Sequence, residues 1–330
     1  MGVDKISRRC FSLVAGVTLL GQTAQAQPVW RLASGYGVDN FHTVNLNQFA
    51  GEVNTAASGA LTLEIHPNNS LMKLSEIRAA VQEGKVQAGE SIMSALAADI
   101  PMAGADSVPF VVRSYADAKR MWRFQRPLLE AHFAKRGLRL LYAVPWPPQG
   151  LFSTKPISQV SDFEGTHMRT YNATTKTIAK LLNAQSMDVP SSELTQALAD
   201  GRVDNMITSA VTGVDNKVWT HVKYFYPINA WVPKNVVYAN EKALGELAAP
   251  LRDAVLKASV AAETRGWTRS EAVAAASVEV LRQNGVKIEL ISPSVGAQLK
   301  RMGERFSIDW IRQVGAEANS LFIPYYGPGA

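Results

Sequence analysis

Segments with the twofold side-chain period of a strand alternate along this chain with segments of helical period, which restricts it to an α/β fold. Residues 29–34 and 61–66 read as strands, with a helix over 44–58 between them closed by Gly59. Ser75 opens a helix that carries Ile77, Ala80 and Val81 on one face and ends at Gly84. Ser114 with Asp117 opens another, on which Met121, Trp122, Leu129 and Phe133 share a side. Pro127 is expected to kink that helix, and Gly137 to end it before a buried strand over 138–144. The second half repeats the pattern, with strands at 168–170, 203–208 and 222–226. Asn172 caps a helix with Ile178, Leu181 and Leu182 inward, and Ser191 or Ser192 caps the next, stopped by Gly201. Residues 251–283 form a long alanine-rich helical stretch, weakened only at Gly266. It is either one helix bridging two lobes or two helices broken at that glycine.

Residues 1–26 read as an export signal, with Arg8-Arg9 before a short apolar run and Ala24-Gln25-Ala26 as the cleavage site. The run is too short to span a bilayer. Arg8-Arg9 followed by Phe11 looks like a twin-arginine leader, the alternative being a Sec leader with two arginines. Cleavage after Ala26 leaves 304 of the 330 residues, a length that suits two lobes. The lobes are expected to be discontinuous, 27–146 with 235–275 and 147–234 with 276–330. Cys10, the one cysteine, falls within the signal, so the mature chain has no disulfide or thiol chemistry. A chain of this length buries enough core to do without one.

The signal carries three basic residues and one acid, so its removal lowers the net charge from +6 to +4. That charge is spread along the chain without a Lys/Arg run. Nucleic acid is not implied, and a small anionic ligand is compatible. No GxSxG, HExxH, CxxC or P-loop pattern occurs. Gly35-x-Gly37 follows a strand but lacks the third glycine of a dinucleotide site, and reads as a loop. His42, His66, His132, His167 and His221 are scattered without metal-ligand spacing. No cofactor, metal or catalytic set is expected.

The segment 162–172, DFEGTHMRTYN, sets Arg169 at a strand end three residues before a helix cap. A planar guanidinium holds a carboxylate through two parallel charge-assisted hydrogen bonds, and a helix N-terminus adds unpaired N–H groups. In order, Gly84-Lys85-Val86, Pro109-Phe110 before Tyr115, Thr154-Lys155-Pro156-Ile157, the Arg169 segment, Ser192-Glu193-Leu194, Ala197-Leu198 and Gly201-Arg202-Val203-Asp204 cover nearly the whole mature chain. This ordered set resembles the DctP-type substrate-binding proteins of tripartite ATP-independent periplasmic (TRAP) transporters. The resemblance implies a two-lobe periplasmic-binding-protein-like α/β fold with a ligand cleft between the lobes. It also implies a periplasmic location, Arg169 as clamp for an organic acid, and delivery to the small and large subunits of a membrane permease.

Departures from the family pattern bear on the ligand. Gln149 stands where relatives often place a second polar or basic residue, which argues against dicarboxylates. Ser191 replaces a frequent phenylalanine, and Thr208 an asparagine. Trp146, set among prolines, Tyr171 and Trp231 are candidate aromatic walls for a flat or apolar monocarboxylate, an aromatic, 2-oxo or hydroxy acid. The two tryptophans serve equally well as hinge packing. Asn172 can bond the ligand as well as cap its helix, and Ser34, ending the first strand, completes the candidate contacts. The alternative functions are a binding protein for a different permease or a sensor, and an exported enzyme on the same scaffold.

Overall fold

Two mixed sheets carry the strand–helix alternation, joined by crossing segments and one long helix. The computed structural model describes Met1 and residues 27–327. The export-signal segment, with Cys10 and the cleavage site at Ala26, lies outside the described residues.

In chain order the first sheet's region holds β1 (Val29–Ala33), α1 (Phe41–Ala57), β2 (Thr62–His66), α2 (Ile77–Gln82), β3 (Ala88–Ile92), α3 (Tyr115–Ala134) and β4 (Leu138–Pro145). The second holds β5 (Gly150–Ser153), β6 (His167–Thr170), α4 (Ala173–Leu181), β7 (Gln185–Asp188), α5 (Leu194–Ala199), β8 (Asn205–Thr208), α6 (Ala210–Asp215) and β9 (Tyr224–Tyr226). The chain then returns as β10 (Lys234–Asn240), α7 (Glu241–Glu246), α8 (Ala249–Gln283), β11 (Lys287–Ile288), α9 (Pro293–Val314) and α10 (Ala316–Tyr326). Strand order is β2-β1-β3-β10-β4 in the first sheet and β11-β9-β5-β8-β6-β7 in the second. β10 runs antiparallel between β3 and β4, so its Val236, Val237 and Tyr238 are buried from both sides.

The two crossings lie side by side. Trp146 N–H donates to the Pro233 carbonyl, Gln149 N–H to that of Trp231, and Ala230 N–H to that of Gln149, each at 2.8 Å. The stretch around Gly266 is one helix: α8 has 35 residues, about 52 Å at 1.5 Å per residue. Its Val255, Ala258 and Ala262 join the first-lobe core with Phe49 and Val144, and its Leu281 packs with Phe152 and Phe225 in the second. Gly266 permits a close approach instead of a break, because a Cβ there would lie 2.3 Å from Val144 Cγ2. α3 likewise continues through Pro127.

Other expectations need correction. Neither Ser191 nor Ser192 caps a helix; a short 3-10 turn over Ser191–Glu193 leads into α5 without a side-chain cap bond. The C-terminal segment is not confined to the second lobe. α9 starts there through Val295 and Leu299 but reaches the first-lobe core at Trp310, where α10 adds Ala318, Leu321, Phe322 and Tyr325.

Replacing Gly266 with alanine tests the close approach of α8 to β4. Helix propensity alone favours alanine by about 1 kcal/mol. The clash with Val144 outweighs that gain, and Gly266→Ala lowers the unfolding free energy by a net of about 1–2 kcal/mol in urea denaturation. A neutral or stabilising result contradicts the packing described.

Candidate functional site

Between the lobes, against the crossing segments, lies a cavity of about 620 Å³. The hinge contributes Trp146, Gln149 and Pro233, the second lobe Arg169, Tyr171, Ser191 and Thr208, and the first lobe Tyr36, Leu74 and Ile92.

Strand alternation sends Met168 into the second-lobe core and Arg169 to the opposite side. Arg169 is only 3% exposed. Its Nε donates to the Val189 carbonyl at 2.9 Å, and its guanidinium carbon lies 4.8 Å from the centre of the Tyr171 ring. The nearby Asp188 is taken by Lys176 at 2.7 Å. Among the described residues no carboxylate forms an ion pair with Arg169, and its two terminal nitrogens have no protein acceptor. Burial draws its pKa down to about 10, which still leaves a cation at neutral pH. A buried, uncompensated charge facing a cavity is a site for an anion.

Besides Asp188, neutral polar groups and rings stand around this charge, with the exposed Lys73 and Glu193 at the cavity's edge. Gln149 donates from Nε2 to the Pro147 carbonyl at 2.8 Å, and its Oε1 takes a long bond of 3.5 Å from the Tyr171 hydroxyl. Thr208 ends β8 opposite Gly150, and the half-buried Ser191 stands at the rim. Trp146 and Tyr36 form the first-lobe wall with ring centroids 5.2 Å apart. Behind them is a buried polar cluster. Asn235 Oδ1 accepts from Trp146 Nε1 at 2.8 Å and from the Tyr36 hydroxyl at 3.2 Å. Asn235 Nδ2 donates to Glu90 Oε1 at 3.0 Å, Ser34 Oγ to Glu90 Oε2 at 2.7 Å, and His42 Nδ1 lies 3.5 Å from Glu90 Oε1. Burial raises the Glu90 carboxyl to about 7 and holds His42 well below its usual range.

Six of the nine expected contacts therefore meet at the cavity: Trp146, Gln149, Arg169, Tyr171, Ser191 and Thr208. Three do not line it. Asn172 spends its Oδ1 on the cap of α4, accepting from Thr175 N–H at 2.8 Å, and its Nδ2 donates across to Ser94 Oγ of the first lobe at 2.9 Å. Trp231 is fully buried in the second-lobe core with Leu151, Ile178 and Leu299. Ser34 lies behind the wall, on Glu90. Tyr36 reads in the sequence only as part of a loop, and the glycine before it, Gly35, is the signal. A side chain at Gly35 would meet Leu74 Cβ at 2.8 Å and Asn69 Oδ1 at 2.9 Å, so glycine lets Tyr36 reach the cavity. Among the described residues no group of three or more His, Cys, Asp or Glu is placed to hold a metal.

Residues 38–310 match the family model DctP, bacterial extracellular solute-binding protein, family 7. The chain belongs to this DctP family. It is similar to the extracytoplasmic solute receptor DctP7 of Bordetella pertussis, which binds pyroglutamic acid, with 37% identity, 91% of this chain and 99% of that one covered, and a TM-score of 0.89. A TRAP solute-binding protein from a marine metagenome, specific for pyroglutamate, shares 35% identity over 90% of this chain and 98% of its own, with a TM-score of 0.88. A solute-binding protein of Albidiferax ferrireducens is 26% identical over 170 residues, 51% of this chain and 50% of the relative. The chain thus spans about half the length of that curated relative. The two-lobe α/β fold and the interlobe cleft are those of a DctP-type TRAP solute receptor, and these relatives are receptors, not enzymes.

Glu90 gives the DctP-type scaffold a pH signature. With its folded pKa raised from 4.5 to about 7, Glu90 binds more protons folded than unfolded within that window, so its contribution to stability falls as pH rises through it. His42, with its pKa lowered, works in the opposite sense and costs stability as pH falls below 6.5. Comparing Glu90→Gln with wild type at each pH isolates the first effect. In ligand-free thermal melts the midpoint of the variant minus that of wild type rises between pH 4.5 and above 7. A pH-independent difference contradicts the assignment.

Proposed function

We propose that this receptor captures a small monocarboxylate with a compact ring, pyroglutamate foremost, and hands it to the small and large subunits of a TRAP permease after export to the periplasm by the leader in residues 1–26. The observation that carries this reading is Arg169, a buried guanidinium without a counter-ion in a cavity between two lobes. Its two free nitrogens match the two oxygens of one carboxylate. The other charged residues of the cavity, Lys73, Asp188 and Glu193, are exposed at its edge, and neutral groups line the part beside the guanidinium. Gln149 and Thr208 can pair with the N–H and C=O of a lactam, while Tyr36, Trp146 and Tyr171 offer ring faces to its body. A second carboxylate would meet only the exposed Lys73 as a further cation, and the carboxylates of Asp188 and Glu193 at the same edge oppose a second negative charge. The pyroglutamate bound by receptors 37% and 35% identical supports the same ligand class here. The cavity volume lies within the range of about 300–1,000 Å³ usual for small-molecule sites. Asn172 acts on the ligand indirectly, through its bond to Ser94 between the lobes.

Titration calorimetry with pyroglutamate tests the clamp. Arg169→Ala loses about 2–5 kcal/mol of binding, roughly 30-fold or more. Arg169→Lys keeps the charge without the two-pronged geometry and falls between the alanine variant and wild type. Wild-type affinity in the alanine variant contradicts the assignment.

A further inference from the structure

One amide governs the first-lobe wall. Asn235 begins in β10, paired with Ile92 on one side and Val144 on the other, so its backbone is fixed from both flanks. It is 1% exposed and does not line the cavity. Its side chain is nonetheless the single partner shared by two rings that do. Tyr36 comes from the loop after β1 and Trp146 from the crossing after β4, and both donate to Asn235 Oδ1, at 3.2 and 2.8 Å. An indole N–H is a donor only, so the amide must turn its oxygen toward Trp146. That leaves Nδ2 for Glu90 Oε1 at 3.0 Å, and Glu90 is held in turn by Ser34 Oγ at 2.7 Å. The two lone pairs of one oxygen thus set the tilt of 57° between rings drawn from separate elements.

We propose that Asn235 is the positioning residue for ligand shape, holding Tyr36 and Trp146 as one preformed wall, with Glu90 orienting its amide. It rests on the reading that the cleft takes a ring-bearing monocarboxylate, because a fixed wall rewards a flat ring and gives less to a flexible chain of the same functional groups. Arg169 recognises the carboxylate whether or not a ring follows it. Asn235, acting through the wall, separates cyclic from acyclic acids.

The test compares pyroglutamate with N-acetylglycine, which carries the same carboxylate and amide without the ring. In Asn235→Ala the preference for the cyclic acid shrinks about 3- to 10-fold, and N-acetylglycine affinity stays nearly constant. Asn235→Leu, close in size but without the shared acceptor, loses the preference too. The near-ultraviolet circular dichroism of Trp146, taken without ligand as each protein minus its Trp146→Phe counterpart, is altered in Asn235→Leu. An unchanged preference in Asn235→Ala, equal weakening of both acids, or an unchanged Trp146 signal in Asn235→Leu overturns the proposal. If wild type binds neither acid, the ligand reading fails, and the dichroism of Trp146 decides the positioning claim by itself.

Discussion

A cation without a partner is the constraint on which the cleft depends. Among the described residues, Arg169 and Lys234 are deeply buried cations near the hinge, and they are treated oppositely. Lys234 and Asp106 are both fully buried and meet at 3.2 Å, and the same carboxylate accepts the Lys234 backbone N–H at 2.9 Å. That charge is compensated inside the fold, so it fixes the start of β10 and needs nothing from solution. Arg169 has one carbonyl and one aromatic face for company, enough to hold the guanidinium plane but not to neutralise it. Its lowered pKa reflects that deficit. That difference, one charge compensated inside the fold and one not, is the ground for proposing Arg169 as the binding charge.

The rest of the architecture brings two walls to that charge. Two crossing segments bonded to each other and a continuous α8 connect the lobes, with Gly266 letting the helix sit against Val144. Direct bonds then join the lobes beside the cavity: Asn172 to Ser94 at 2.9 Å and Asn40 to Asp215 at 2.7 Å. Both asparagines also cap helices, α4 and α1, so the side chains that start the helices also register one lobe against the other. The cavity lining is divided accordingly, with the buried guanidinium of Arg169 from the second lobe and the rings of Tyr36 and Trp146 from the first-lobe side.

Much of this was legible in the sequence, and the exceptions have physical reasons. Arg169, Tyr171, Gln149 and Trp146 stand in local motifs, where strand ends and prolines set direction over a few residues. Trp231 also stands beside a proline, but which side of a crossing faces the cleft depends on the partner segment, and its ring turned into the core. Asn172 gave the correct cap yet an unforeseeable partner, because Ser94 is 78 residues away. Glu90 and Asn235 carried no local signal, since their burial and pairing arise only when β3, β10 and two loops converge. The C-terminal helices went unread, and α10 returns to the first lobe through Leu321, Phe322 and Tyr325, a contact fixed by shape complementarity over long sequence separation. Gly266, a weak point by propensity, is a contact point in three dimensions.

The claim that Arg169 awaits a single carboxylate is tested most directly by changing the ligand and leaving the protein intact. Calorimetric titration of the mature chain with pyroglutamate and with its carboxamide, equal in ring and size but uncharged, isolates that charge. The acid is expected to bind more tightly than the amide by about 2–5 kcal/mol, roughly 30-fold or more. Equal affinity for the two would contradict the anion site.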